Sequence, residues 1–189
     1  YLDKENLQKA EIFYPLKTKV CTKCWLVQTI DYTESEILFD SEYAYLSSTS
    51  KSWLKHAKDF SEKIINKNCL SAKSFVIEIA SNDGYLLQNF KKANIPCLGI
   101  EPTKSTALIA EGKGINVVQE FFGESLAKEL SSQGKKADLI VANNVYAHVP
   151  NINDFTAGLK IILKKEGTIC LEFPHIMKLI KFNQFDTIY

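Results

Sequence analysis

From Phe75 to Phe173 the sequence alternates short β-branched runs with amphipathic segments, and this alternation limits the fold more than any other feature of the chain. Runs such as Phe75–Ala80 (FVIEIA), short and bounded by polar residues, predict buried parallel strands. The predicted strands are 75–80, 97–100, 115–118, 138–142 and 168–173, and the predicted helices between them are 85–92, 105–111, 124–132 and 153–163. Because strands and helices alternate about every 25 residues, the pattern predicts a parallel α/β sheet with right-handed crossovers.

Composition excludes several classes of protein. The 189-residue chain has a net charge of +1, from 23 basic and 22 acidic residues, and every basic residue is lysine. Nucleic-acid-binding proteins usually carry a basic surplus and use arginine to contact bases and phosphates, so this balance argues against nucleic acid as a partner. No apolar run approaches the ~18 residues that cross a bilayer, and we expect no membrane span. Five cysteines in a lysine-rich chain without a secretory signal predict free thiols and a cytoplasmic protein.

The residues before the sheet fall into three segments. Apolar residues recur at three- and four-residue steps from Trp53 to Ile64, which predicts a helix ending near Asn66–Asn68. His56 lies on that apolar stripe, where packing is its default role. Between residues 29 and 50, aromatic residues alternate with polar ones, as in a loop over a cleft or in ordinary surface packing. Up to about Gln28 the sequence is irregular and too short for a core of its own.

The first predicted strand leads into a turn of small and polar residues. In an open parallel sheet, ligands bind beyond the carboxyl ends of the strands. Ala80, Asn82 and Gly84 are small or tolerate positive φ, so a tight turn can bring backbone N–H groups close to a ligand. We therefore assign ligand binding to this turn, including Asp83 within it and the acidic Glu78 inside the strand.

The residues that follow the next strands extend this candidate site. Glu101 comes directly after the second strand, where a carboxylate is suited to bind both hydroxyls of a ribose. Phe121 or Phe122, after the third strand, could face an adenine ring, and Asn143 and Asn144 follow the fourth. Together these residues predict a site for a nucleoside-bearing cofactor.

The spacing of the turn discriminates between cofactors. Nicotinamide sites use G-x-G-x-x-G, whose glycines let the backbone approach a pyrophosphate. Here the pattern is acid-x-Ala-x-Asn-x-Gly, which is similar to motif I of the class I S-adenosylmethionine methyltransferases. That resemblance implies that Glu78 orients the loop and the amino-acid end of the cofactor.

Five segments occur together in an order that narrows the resemblance. They are 21–28 (CTKCWLVQ), 43–48 (YAYLSS), 78–85 (EIASNDGY), 143–150 (NNVYAHVP) and 185–189 (FDTIY). The chain resembles the sugar C-methyltransferases that act on nucleotide-linked deoxy-ketosugars in antibiotic and surface-polysaccharide pathways, and the match covers nearly all of it. Members of that family have a small N-terminal zinc module, a central methyltransferase domain and a C-terminal Rossmann-like domain.

The resemblance implies a domain division. Residues 1–28 would be the remnant of the zinc module, 29–74 an aromatic loop and helical lead-in, and 75–189 the S-adenosylmethionine-dependent methyltransferase domain. Cys21 and Cys24 would be zinc ligands, together with a second cysteine pair that the family carries upstream. The chain begins at Tyr1 rather than methionine, from which we expect an N-terminally trimmed sequence that lacks that pair.

The resemblance also implies catalytic roles. The family removes a proton α to a ketone, stabilises the enolate and transfers the methyl group to carbon. The matching residues are Tyr43, His148 and Tyr189, and the family continues after that tyrosine with a Glu-His pair, where this sequence ends. The expected partner is a nucleotide-linked ketosugar, and the expected cofactors are S-adenosylmethionine and structural zinc.

Other interpretations remain open at this point. The same cofactor could serve methyl transfer to oxygen or nitrogen of a small molecule, or the chain could be a non-catalytic domain that binds cofactor or a protein partner. His148 could instead cap or pack at the end of a strand. The sequence identifies neither the sugar, nor the methylated carbon, nor the oligomeric state.

Overall fold

The computed structural model describes residues 4–5, 7–34, 37, 39, 43 and 45–184. The chain divides into two compact units, 1–34 with 175–189, and 35–174. In chain order the elements are β1 (Thr18–Val20), β2 (Val27–Thr29), α1 (Lys51–Lys67), β3 (Val76–Ile79), α2 (Leu87–Lys92), β4 (Cys97–Ile100), α3 (Lys104–Gly112), β5 (Asn116–Val118), α4 (Glu124–Ser132), β6 (Ala137–Asn143), α5 (Ile152–Ile162), β7 (Leu163–Glu172) and α6 (Ile176–Lys181). Among the described residues, no helix has both the length and the apolar surface to cross a membrane.

The larger unit contains a five-stranded sheet with the order β5-β4-β3-β6-β7, in which every pairing is parallel. β3 lies at the centre, with Ile79 opposite Ile100 on one side, and Asn143 at the end of β6 lies opposite Glu172 at the end of β7. The predicted parallel α/β architecture is confirmed.

Side-chain alternation along the strands builds a core on each face of the sheet. Ile77 and Ile79 pack with Ile140 and the apolar sides of α4 and α5. Val76 packs on the opposite face, against residues of α1 and α2. Because the strand period is two, Glu78 lies on the same face as Val76 and is buried there.

β7 begins earlier than the sequence predicts. It follows α5 without a loop at Leu163, whereas the prediction begins at Thr168. The pairing shifts register between Ala137 and Leu139, and the irregularity lets Leu163 pair with Ala137 before Leu139 pairs with Thr168.

The smaller unit contains a hairpin that sequence analysis describes only as irregular. β1 and β2 pair antiparallel, with Thr18 opposite Thr29 and Val20 opposite Val27. The strands have three residues each and are largely exposed, so they carry no periodic apolar signal. The short helix α6, also absent from the prediction, belongs to this unit.

Candidate functional site

The turn after β3 is held in a left-handed backbone conformation at alternate residues. The φ angles are 55° at Ala80, 47° at Asn82 and 75° at Gly84. A non-glycine residue in this region costs ~1–2 kcal/mol, and such strain persists where the surrounding structure enforces it. Here the Ser81 N–H donates to the carbonyl of Ile100 at 3.2 Å, and the Gly84 N–H donates back to the carbonyl of Ser81 at 3.0 Å. The tight turn expected from the sequence is present.

Gly84 is required for packing as well as for backbone conformation. A Cβ at this position would lie 2.4 Å from Cδ1 of Ile115 and 3.2 Å from Cβ of Ala110. The glycine therefore lets the turn approach α3 and the residue before β5, in addition to permitting positive φ.

Glu101 joins two neighbouring strand ends. Its carboxylate is 4% exposed and accepts hydrogen bonds from the backbone N–H of Asn82 at 2.8 Å and of Thr103 at 3.0 Å. A carboxylate has about four acceptor sites, so two remain for hydroxyl donors. The residue predicted to bind a ribose thus also fixes the turn beside it.

The side chains of Asn82 and Asp83 are turned into the protein. The Asn82 amide accepts from the Ser47 N–H at 2.9 Å and donates to the carbonyl of Tyr45 at 3.1 Å. Asp83 is fully buried and accepts from the Ser48 N–H at 3.3 Å, and its Oδ2 lies 3.4 Å from Nζ of Lys113. Both side chains therefore hold residues 45–48 against the turn by hydrogen bonds. This structural role is not predicted from the sequence.

Glu78 is a fully buried carboxyl group, and neither of its oxygens has a partner in good hydrogen-bond geometry, although the Tyr85 hydroxyl and the Leu87 N–H lie near enough to act on its pKa. Burial, reinforced by the nearby charge of Glu101, raises the pKa of Glu78 well above its ordinary value. Carboxyl oxygens without a well-formed hydrogen bond keep acceptor capacity for a further group at the site. Their position beneath the turn fits a polar end of a cofactor, such as an ammonium group.

Aromatic residues after β5 have different surroundings. Phe122 packs edge-on against Phe155, with 5.1 Å between ring centroids, whereas Phe121 is 42% exposed. Phe121 is therefore the better candidate to face an adenine ring. Both line a cavity of about 290 Å³ that extends to Asp154. A larger cavity of about 560 Å³, between α5 and β7, is lined by none of the predicted site residues.

The residues after β6 lie at the same edge of the sheet. The Asn143 amide donates to the Tyr85 hydroxyl at 3.3 Å, and the Asn144 N–H donates to the carbonyl of Glu172 at 2.6 Å. Asn144 has a φ of 52°, which starts the turn that carries His148. Burial lowers the pKa of His148, which favours a neutral imidazole.

The two predicted catalytic tyrosines differ in what the structure describes. The carbonyl of Tyr43 accepts a hydrogen bond from the Ser105 hydroxyl at 3.4 Å, and its ring centroid lies 5.4 Å from that of Phe39. Because Ser105 lies in the first turn of α3, this contact brings residue 43 towards the end of β4. Tyr189 lies outside the described residues.

Cys21 and Cys24 lie in the turn between β1 and β2. The Lys23 N–H points at the Cys21 sulfur at 3.4 Å, and backbone N–H groups of Cys24 and Lys23 lower the pKa of that thiol. The Trp25 N–H donates to the carbonyl of Cys21 at 2.9 Å and closes the turn. Within the described residues, no third histidine, cysteine or acidic side chain joins these thiols in a metal-binding group.

Comparisons with known families match two regions of the chain. A family model described as "Putative zinc binding domain" matches residues 1–39, and one described as "Methyltransferase domain" matches residues 53–182. The C-methyltransferase NovU of Streptomyces niveus is 28% identical over 188 residues, which cover 100% of this chain and 44% of that protein. The chain thus spans less than half the length of this curated relative. These matches confirm the resemblance to a C-methyltransferase family.

Solved structures share the fold at low identity. An S-adenosylmethionine-dependent methyltransferase of Clostridium acetobutylicum has a TM-score of 0.55 and 16% identity, covering 68% of this chain and 54% of that one. A methyltransferase of the same kind from Archaeoglobus fulgidus has a TM-score of 0.52 and 19% identity, covering 69% and 61%. The methyltransferase model matches more than half of the chain. The chain therefore belongs to the methyltransferase-domain family, with the class I Rossmann-like fold of S-adenosylmethionine-dependent methyltransferases.

Proposed function

We propose that the protein is an S-adenosylmethionine-dependent C-methyltransferase that methylates a nucleotide-linked deoxysugar at a carbon α to a ketone. The observation that supports this most is the hydrogen bond between the strained turn after β3 and Glu101, next to the buried carboxyl of Glu78. The 28% identity to a C-methyltransferase over the whole chain favours carbon as the acceptor.

In this proposal the cofactor is held by groups from four strand ends. Glu101 would accept from both ribose hydroxyls, Phe121 would face the adenine, and Glu78 would interact with the amino-acid end. The backbone of residues 80–84, together with Asn143 and Asn144, would form the remaining walls of the cofactor site. S-adenosylmethionine supplies an electrophilic methyl group bonded to a sulfonium. The residues present fit such a molecule because the carboxylates at 78 and 101 offer unused acceptor sites.

The chain's own residues would manage the proton and the enolate. Loss of an α-proton needs one group that accepts it and another that stabilises the developing oxyanion. His148 suits either task because its burial favours the neutral imidazole, which carries both a donor and an acceptor nitrogen. We propose that the phenolic hydroxyls of Tyr43 and Tyr189 act on the same ketosugar substrate.

We further propose that Cys21 and Cys24 are two ligands of a structural zinc ion. The turn between β1 and β2 directs N–H groups at the Cys21 sulfur and so favours the thiolate, the form that binds metal. Tetrahedral zinc needs four ligands. The other two would be the second cysteine pair that the resemblance places upstream in the full-length protein.

The experiment is methyl transfer by the full-length protein in deuterium oxide, with methyl-labelled S-adenosylmethionine and a nucleoside-diphosphate-linked deoxy-ketosugar. We expect the label on a ring carbon next to the ketone, and deuterium at the α-position of recovered substrate. Label on oxygen or nitrogen without α-exchange would replace the proposal with heteroatom methylation. Cofactor binding without any transfer would favour a non-catalytic domain.

A further inference from the structure

Five residues at one edge of the sheet are joined in a ring by four side-chain contacts and one backbone strand pairing. The Trp53 ring stacks on His56, with 4.9 Å between centroids and 23° between planes, and on Tyr85, at 6.0 Å and 28°. The Tyr85 hydroxyl accepts from the Asn143 amide at 3.3 Å, and Nε2 of His56 lies 2.8 Å from Oε2 of Glu172. Asn143 and Glu172 are register partners on β6 and β7, which closes the ring. We call these residues the His56–Glu172 ring.

The ring borders the proposed cofactor site. Tyr85 directly follows Gly84 of the turn, while Asn143 and Glu172 are the last residues of their strands. Ligands of open parallel sheets bind beyond these carboxyl ends. The cofactor is assigned to the ends of β3, β4 and β5 and to Asn143 at the end of β6, so the neighbouring end of β7, with Glu172, remains for the acceptor molecule.

The geometry of His56 is that of an oriented base. A carboxylate beside Nε2 favours the tautomer that carries its proton on this nitrogen, which leaves the lone pair on Nδ1. No hydrogen bond to Nδ1 of His56 occurs among the residues that the structure describes. The side chains of His56 and Glu172 are 47% and 37% exposed, so a ligand can reach the imidazole.

A purely structural ion pair would only tie α1 to β7. Lys55 and Asp59, on the same helix as His56, form an ordinary surface ion pair between exposed side chains a single turn apart. The His56–Glu172 pair differs because it joins residues 116 positions apart at a strand end. Its imidazole is also fixed from a second side by the Trp53 ring. That double restraint is what a proton-transfer group needs.

We propose that His56, oriented by Glu172, accepts the proton that the acceptor carbon loses before methyl transfer. The C–H bond breaks, its electron pair forms the enolate, and the proton moves to Nδ1, giving an imidazolium paired with the Glu172 carboxylate. The enolate carbon then bonds to the methyl group, and the electrons of the broken S–C bond remain on sulfur. His148 is thereby assigned to the enolate oxygen. This inference rests on the proposed function.

The test separates proton removal from methyl transfer. The full-length protein is saturated with S-adenosylhomocysteine, which has no methyl group to give, and a nucleoside-diphosphate-linked deoxy-ketosugar is added in deuterium oxide. Deuterium at the α-carbon is followed by NMR for the wild type, His56→Ala, Glu172→Gln and the control Asp59→Asn, which breaks the neighbouring pair on α1. S-adenosylhomocysteine affinity is measured for each by calorimetry.

We expect His56→Ala to slow exchange by ~10²-fold or more, the scale of general base loss, and Glu172→Gln to slow it by ~10-fold. Asp59→Asn should exchange normally, and cofactor affinity should stay within about twofold in all variants. Added imidazole should restore exchange to His56→Ala, because the truncation leaves room beside Trp53 that is open to solvent. If His56→Ala does not fold, His56→Asn takes its place with the same expectations.

Three results would overturn the assignment. The first is wild-type exchange in the His56 variant. The second is a loss of exchange that imidazole does not restore while cofactor affinity is kept, since His56 would then have a positional role only. The third is a joint loss of exchange and cofactor binding. If the wild type neither exchanges nor methylates the ketosugar, the proposed function itself fails, and this inference fails with it.

Discussion

The carboxylate of Glu101 accepts a hydrogen bond from the backbone N–H of Asn82 at 2.8 Å, and so couples the end of β4 to the strained turn after β3. Its second oxygen accepts the Thr103 N–H at 3.0 Å. The same carboxylate that is proposed to bind the ribose therefore also maintains the shape of the cofactor loop. A substitution at this position acts on both properties, and its design has to separate them.

We predict that Glu101→Gln lowers S-adenosylhomocysteine affinity at least tenfold, about 1.4 kcal/mol, because the site loses a charged acceptor. Glutamine keeps one oxygen for one of the two N–H groups, whereas alanine would leave both unpartnered at ~1–3 kcal/mol each. Calorimetry measures the affinity and urea unfolding the stability. The matched control is Glu111→Gln, an exposed carboxylate on α3. An unchanged dissociation constant for Glu101→Gln would remove this residue from the site.

Gly84→Ala should destabilise the protein by ~2–4 kcal/mol, since it combines a strained φ with overpacking against Ile115. Gly134 is a matched control because its φ of 76° equals that of Gly84 within a degree, yet a Cβ there would meet nothing within 4 Å. Gly134→Ala should therefore lose only ~1 kcal/mol, the conformational part. Urea unfolding of both variants checks this. Equal losses would show that Gly84 has no packing role.

The buried carboxyl of Glu78 predicts a pH dependence of stability. Its folded-state pKa is raised, so the unfolded state releases this proton first, and the stability contributed below the unfolded pKa of about 4.5 is lost as the pH rises towards the folded pKa. Glu78→Gln removes this pH-dependent loss of stability, because glutamine does not ionise. Its unfolding free energy relative to wild type should rise by up to ~1.4 kcal/mol per pH unit in this window. Urea unfolding from pH ~4 to ~8 measures the difference. A difference that does not change with pH would contradict the raised pKa.

His148→Asn in the full-length protein should lower kcat by ~10²-fold or more, as expected when a group that handles the proton or the enolate is lost. The affinity for S-adenosylhomocysteine should change little, because His148 is assigned to the acceptor and not to the nucleoside. Steady-state kinetics and calorimetry provide the two values. A variant that lost cofactor affinity but kept turnover at saturation would assign His148 to the cofactor pocket instead.

The sequence predicts the framework of the larger unit because its signals are local. The helix Glu124–Ser132 and the strand Cys97–Ile100 have the predicted bounds, since apolar period and polar flanks determine both. The hairpin of β1 and β2 is not predicted, because its exposed three-residue strands have no apolar pattern.

The site is predictable in position and less so in its contacts. The turn at residues 80–84 and the place of Glu101 follow from strand ends, which periodicity identifies. The hydrogen bonds of Asn82 to residues 45 and 47 and the His56–Glu172 contact depend on the tertiary packing of distant segments. A single sequence carries no local signal for such pairs.

Equilibrium dialysis of this chain with labelled S-adenosylhomocysteine tests whether the strand ends around Glu101 bind the cofactor, and it does not require the acceptor molecule. We expect saturable binding with a stoichiometry near one, weakened at least tenfold by Glu101→Gln and unchanged by Glu111→Gln. Absence of binding by S-adenosylhomocysteine and S-adenosylmethionine alike, in a folded chain, would contradict this expectation.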